Sequence, residues 1–267
     1  MKTILITGST DGIGKLTAFK LAKQGHQILL HGRNPEKLAN TISAIKEQTG
    51  NARIRGYVSD LADFNSIEQM VVGIFNDFTS IDVLINNAGV LISQFEQNQD
   101  KLDIRFAVNY LAPYLLTNGL LPLLKKGTSP RIINLSSAAQ STVLIDALVG
   151  SIQISSNAAY AQSKLALTMW SFALAKANPE IITIAVNPGS LLNTKMAREA
   201  YGQHWSSADK GANILYDLAI SAQYAESSGK YFDNDRGSFS PAHNDAYNEK
   251  KIDQLIAETI KILKTKV

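Results

Sequence analysis

Tyr160 and Lys164 stand four residues apart in Ala158-Ala159-Tyr160-Ala161-Gln162-Ser163-Lys164-Leu165, a stretch of good helix formers. On a helix that spacing sets both side chains on one face, one turn apart. A phenol ionises near pH ~10, too high for it to exchange protons readily at neutrality. A lysine cation roughly 5 Å away, at an effective dielectric of about 20, contributes ~3 kcal/mol towards the phenolate. Such a pair can pass a proton to or from a substrate oxygen near pH 7. Tyr-x-x-x-Lys also occurs on ordinary helix surfaces. Here it follows Ser136-Ser137, two hydroxyls that close an apolar run, and that placement favours chemistry.

A second constellation is Thr7-Gly8-Ser9-Thr10-Asp11-Gly12-Ile13-Gly14, between the first apolar run and the first helical pattern. Glycines let the backbone turn tightly and approach a pyrophosphate, and the helix N-terminus offers unpaired N–H groups and a positive dipole end. The spacing departs from G-x-G-x-x-G. A plain structural turn stays open as the alternative.

These residues need a scaffold, and the apolar patterning supplies one. Runs at 3–7, 27–31, 53–58, 81–86, 131–135, 181–187 and 229–232 read as strands, and helical spacing fills the segments between them. Continuously apolar strands separated by helices imply an α/β fold, a doubly wound, mostly parallel sheet with helices on both faces. Asn34-Pro35 marks the start of the second helix, and Gly25 and Gly50 follow the first two. The stretch 231–248 reads as a polar loop before a final amphipathic helix. No linker or repeat interrupts the chain, so residues 1–267 are expected to form a single Rossmann-like domain, with variable substrate-side segments near 138–157 and 190–210.

The sequence resembles the short-chain dehydrogenase/reductase family, whose motifs occur in order from 7 to 194. They are T-G-x-x-x-G-x-G at 7–14, Asp60-Leu61, Asn86-Asn87-Ala88-Gly89, Ser136-Ser137, Tyr160-Ala161-Gln162-Ser163-Lys164 and Pro188-Gly189. The interval of 23 residues from Ser137 to Tyr160, His31-Gly32-Arg33-Asn34 and Gly229-Lys230-Tyr231-Phe232 resemble the retinol-dehydrogenase-like branch. The resemblance implies hydride transfer between nicotinamide and a carbonyl or alcohol. It implies Tyr160 as acid or base, Ser137 as hydrogen-bond partner of the reacting oxygen, Lys164 on the nicotinamide ribose, and Asn109 holding a proton-relay water. Gly8, Ser9, Thr10, Gly12, Ile13 and Gly14 would cradle the phosphates. Asp60 would meet the adenine, the backbone at Asn87, Ala88 and Gly89 would run beside the ribose, and Leu61, Pro188 and Gly189 would also contact the cofactor. The family often places Thr four residues after the glycine of Pro-Gly. Here that position is Asn193, with Thr194 one later, and the nicotinamide amide could be met by either.

Positions 30–33 hold no acid to accept hydrogen bonds from a free ribose hydroxyl. Arg33 offers instead a planar cation matched to a 2′-phosphate, so NADP(H) is the expected cofactor. A non-catalytic NADP-sensing protein of this fold would be free to lose Asn109, Ser137, Tyr160 and Lys164, and all four are present.

Composition narrows the classes further. The chain has no cysteine, which excludes disulfides, thiolate catalysis and Cys-based zinc sites. The net charge of +3 comes without a long basic run, so no nucleic-acid partner is expected. His26, His31, His204 and His243 are too scattered for a metal site, and none is expected. No apolar run reaches the ~18 residues of a membrane span, and no secretory leader is apparent, so the chain reads as cytoplasmic. Family resemblance implies a homodimer or homotetramer. The aliphatic residues of 143–154, with Met196, Tyr201 and Trp205, point to an apolar substrate wall, although a small helix packed on the core would explain the first group equally.

Overall fold

The strands are apolar on both sides because both faces of one sheet are covered. The computed structural model describes residues 1–202 and 205–266; Gln203, His204 and Val267 lie outside it, as do the side chains of Tyr201 and Lys266. The first half runs β1 (Thr3–Ile6), α1 (Gly12–Lys23), β2 (Gln27–Gly32), α2 (Pro35–Thr49), β3 (Ile54–Val58), α3 (Phe64–Asp77) and β4 (Val83–Asn86). One continuous helical segment follows: α4 (Ile104–Phe106), a π-helical turn (Ala107–Leu111) and α5 (Ala112–Leu124). The rest is β5 (Arg131–Leu135), α6 (Ile145–Leu148), α7 (Ser156–Ala177), β6 (Ile182–Asn187), α8 (Lys195–Tyr201), α9 (Ala208–Ile220), β7 (Lys230–Asp233), β8 (Ser238–Phe239) and α10 (Glu249–Lys266).

The sheet order is β3-β2-β1-β4-β5-β6-β7-β8, parallel through β7, with β8 antiparallel at the edge. Alternate residues of each strand go to opposite layers. Leu5, Leu29, Leu84 and Ile132 join α3, α5, α7 and α10 in one core cluster. Ile4, Ile28, Ile85 and Ile133 join α1, α2 and α9 in the other. The order reverses between β1 and β4, and there the loops after the strands separate into a crevice, the usual ligand site of such sheets.

Local signals hold where they were expected. Asn34 Oδ1 accepts from the Lys37 N–H with Pro35 opening α2, and Gly50 ends that helix at φ 68°. Two expectations change. The polar stretch 231–248 contains the end of β7 and the two-residue β8, too short to leave a periodic signal; Phe239 is held there by edge contacts with Phe232 and Tyr224, 5.1 and 6.0 Å between centroids. Most aliphatics of 143–154 serve the core: Ala147 and Leu148 are buried on α6, and Val143, Ile145, Val149 and Ile154 pack against the same cluster. Only Leu144 and Ile152 stay exposed. Trp170 is buried on α7 against Tyr114. Among the described residues no helix is long and apolar enough to cross a membrane, and no group of His, Cys, Asp or Glu could hold a metal ion.

Candidate active site

The turn from β1 into α1 is locked to the loop after β4. Thr7 Oγ1 accepts from the N–H groups of Asn87 and Ala88, both at 3.0 Å, and Asn87 Nδ2 donates to Thr7 O and Gly8 O. Gly8, at φ 61°, lies so close to Ala88 that a Cβ would sit 2.9 Å from its Cα, and a Cβ on Gly14 would overlap the Asn87 amide. These two glycines therefore serve the contact between the loops. Gly12, at φ 50°, faces the Thr194 methyl instead, at 3.6 Å. The Ser9 hydroxyl turns inward, accepting from the His31 N–H, while Ile13 packs near Gly211 of α9.

His31 is a structural residue that its scattered spacing concealed. Its Nδ1 accepts from Gly8 N at 3.0 Å, so its Nε2–H donates to Ser59 O at 2.9 Å. Burial pushes its pKa down to about 4, and the neutral ring ties the glycine turn to the end of β3. Asp60 follows there, exposed on the crevice rim, with Leu61 buried behind it. Arg33, just past β2, is exposed, and its guanidinium has no ion-pair partner among the described residues.

Across the switch point, α7 delivers Tyr160 and Lys164 to the end of β5. The Ser155 side chain caps the helix by accepting from the Ala158 N–H. Lys164 is 3% exposed; its Nζ donates to Leu135 O at 2.8 Å and lies 5.6 Å from the Tyr160 ring centroid. Burial lowers its pKa to about 8, which still leaves it a cation at neutrality. A Cβ on Gly89 would stand 3.3 Å from this Nζ, so the absence of a side chain there leaves the ammonium facing the crevice.

Ser137 is half-buried one residue past the buried Ser136, whose hydroxyl is committed to Lys164 O and Thr168 Oγ1. The Ser137 carbonyl is clamped by two donors that sequence reasoning missed, Gln140 Nε2 at 2.9 Å and Tyr231 OH at 3.0 Å.

Asn109 sits in the π-helical turn, where the Ala112 N–H reaches back to Ala107 O. Single π turns inside α-helices often mark functional positions. Its amide is engaged by protein partners: Val90 N donates to Oδ1, and Nδ2 donates to Val90 O and Ser163 Oγ. Ser163 Oγ donates onward to Tyr160 O at 2.7 Å. Asn109 thus couples the loop after β4 to the helix carrying the tyrosine. One turn earlier the fully buried Arg105 holds the same loop, donating from Nε to Leu91 O and pairing with Glu96 and Asp103. An arginine in the apolar run Ile104-Arg105-Phe106-Ala107-Val108 was the available signal.

The loop after β6 closes the crevice. Gly189 takes φ 123°, and Thr194 caps α8 beside Gly12. Asn193 is exposed, with Oδ1 accepting from Arg198. Of the two residues left open above, Thr194 is the one at the glycine turn. Met196 Cε reaches within 3.8 Å of a Cβ position on Gly89, which lays α8 over the crevice.

The short-chain dehydrogenase family model matches residues 2–205. The chain belongs to this family. Human retinol dehydrogenase 13 is 34% identical over 252 residues, covering 87% of this chain and 76% of that one. Human polyprenol dehydrogenase is 33% identical over 276 residues, covering 95% and 82%. A protein of Escherichia coli CFT073, solved in complex with NADPH, superposes with a TM-score of 0.73 at 27% identity over 87% of this chain and 96% of its own. Members of the family are oxidoreductases that use NAD(P)(H), and the fold here is theirs.

Proposed function

We propose that the chain is an NADP(H)-dependent oxidoreductase interconverting a medium-sized, largely apolar carbonyl compound and its alcohol. The observation that carries this reading is the placing of Tyr160, Lys164 and Asn109, joined through Ser163 and Gly89, at the ends of β4 and β5, where β5 runs on into Ser137. There the Lys164 ammonium is buried beside both the tyrosine ring and Gly89.

The residues present fit a dinucleotide. Gly12 puts no side chain at the start of α1, Arg33 is exposed with no ion-pair partner among the described residues, and Lys164 has two ammonium protons beyond the one given to Leu135 O. Gly12, Ile13 and Thr194 would hold the diphosphate, Arg33 the 2′-phosphate, Asp60 the adenine side, and Lys164 the nicotinamide ribose. The bound nicotinamide supplies or accepts the hydride. The protein's own task is the proton. Tyr160 gives it to the carbonyl oxygen in reduction or takes it from the alcohol in oxidation, and the Lys164 cation stabilises the phenolate left behind. The Ser137 hydroxyl orients the reacting oxygen from a backbone that Gln140 and Tyr231 hold still.

Apolar character gathers at the same edge of the sheet. Ile92 and Phe95 follow β4, Leu144 and Ile152 follow β5, and Trp205 follows β6, and all are exposed. Phe95 is 68% and Trp205 72% exposed, and large apolar side chains left so open on the loops around one crevice favour an apolar ligand. NADPH oxidation with a homologous series of aliphatic aldehydes and ketones tests this. Each buried methylene contributes about 0.8 kcal/mol, so kcat/KM should climb roughly four-fold per carbon until the pocket is filled. A flat or falling series, with good turnover of a phosphorylated or dicarboxylic substrate, would refute it.

Cofactor choice is a separate expected result. NADPH should be preferred over NADH by at least ~10-fold, and Arg33→Ala should erase most of that, since a charge-assisted phosphate contact contributes about 1.5–3 kcal/mol. Equal kcat/KM for the two cofactors in the unaltered protein would contradict the role given to Arg33.

A further inference from the structure

The turn after β7 grips the end of β6 and the first residues of the loop that follows it. Asp235 accepts from Ser190 N at 2.9 and 3.1 Å through its two oxygens, and from the Ser190 hydroxyl. Asn187 Nδ2 donates to Asp233 Oδ1 and Asp235 Oδ2, both at 2.9 Å, and Asn187 Oδ1 accepts from Gly189 N. Asn234 Nδ2 donates to Pro188 O at 2.8 Å and also reaches Lys210 O. Lys210 Nζ stands 3.6 Å from Asp235 Oδ1. The next residue, Leu191, is a non-glycine residue at φ 46°, and from there the chain runs on to Thr194 beside Gly12 and Met196 beside Gly89. An isolated surface carboxylate pair would contribute little. Here one carboxylate collects a backbone N–H and a hydroxyl from Ser190 and an amide from Asn187 at the end of β6, and such a set fixes a geometry that no one bond could.

Sheet order says which part of the crevice this loop serves. It leaves β6, next to β5 and Ser137, on the opposite side of the switch point from Arg33, just past β2. We propose that Asp235 is a positioning residue that sets the nicotinamide-side wall of the cofactor site by holding Ser190 and Asn187. This rests on the cofactor reading given above. The carboxylate is needed for its acceptors alone. An amide of the same shape has one oxygen, and its NH2 group would be turned towards donors, the Ser190 N–H or Asn187 Nδ2.

The test compares two ligands that share the adenosine with its 2′- and 5′-phosphates, of which only NADPH carries the nicotinamide half. NADPH and 2′,5′-ADP are titrated by fluorescence and calorimetry against the unaltered chain, Asp235→Asn, Ser190→Ala and the double variant, with thermal melting alongside. Asp235→Asn should weaken NADPH about 10-fold or more while 2′,5′-ADP stays within about two-fold, at a melting temperature within a few degrees. Ser190→Ala should show the same selectivity at smaller size. The double variant should lose less than the product of the two single effects, because both remove one contact. Should Asp235→Asn fail to fold, Ser190→Ala alone carries the comparison. Unchanged NADPH affinity, equal weakening of both ligands, or independent effects in the double variant would overturn the proposal. Failure of the unaltered chain to bind either ligand would overturn the cofactor reading and this proposal with it.

Discussion

Tyr160→Phe should leave NADPH affinity within about three-fold of the unaltered protein and lower kcat roughly a thousand-fold. The phenol hydroxyl contributes mainly in the transition state, where a positioned acid or base is worth about a hundred- to ten-thousand-fold. The ring is half-buried at the crevice, with its backbone carbonyl held by Ser163 and its face near Lys164, so removing one oxygen leaves the packing in place. Cofactor titration and steady-state kinetics on one preparation check both halves. Turnover within ten-fold of normal would end the case for Tyr160 as the proton donor.

Lys164→Met should have two consequences of opposite kind. Catalytic efficiency should fall by about a thousand-fold, since the variant loses both the cation beside the tyrosine and the ribose contact. Stability should respond differently, because the lysine is buried with its pKa lowered to about 8 by desolvation. An unfolded chain keeps that proton up to about pH 10.4. Between these values the unfolded state binds more protons, so this group's contribution to stability rises with pH. Below pH 8 burying the cation costs roughly 3 kcal/mol, and the cost is lifted as pH climbs through 8 towards 10.4. Melting curves from pH 7 to 10 should therefore show a rise from this group in the unaltered protein that is missing in Lys164→Met. The unaltered site would then be held at a cost in stability for the sake of a cation at the reacting centre. Parallel pH dependence of the two proteins would show that the ammonium is less desolvated than its surroundings imply.

Both experiments concern residues that could be found without a structure, and the reason is that their relation is local. Four residues on one helix fix the Tyr160–Lys164 pairing, and the strand-to-helix turn fixes the glycine positions. The apolar runs likewise dictated an α/β sheet covered on both faces, because a strand with no polar side has nowhere to lie except between layers. Boundaries shifted by a residue or two, and β8 was too short to carry a period.

The side chains that hold the site still were decided by tertiary structure alone. Asp235 and Ser190 are 45 positions apart, Tyr231 and Ser137 are 94, and His31 and Gly8 are 23. Nothing in their identities distinguishes them from residues facing solvent. The same limit applies to Gly8 and Gly14, where sequence points to a phosphate and the fold shows the loop of Asn87 and Ala88 pressed against them. It applies also to 143–154, whose aliphatics suit a pocket or a core equally in composition. Which face α6 turns inward depends on the layer beneath it, and that layer buried Ala147 and Leu148 while leaving Leu144 and Ile152 exposed. Sequence determined the chemistry that one helix or one turn can assemble. Contacts between distant segments decided what keeps that chemistry in place, because a hydrogen bond across the sheet leaves no periodic trace in either segment.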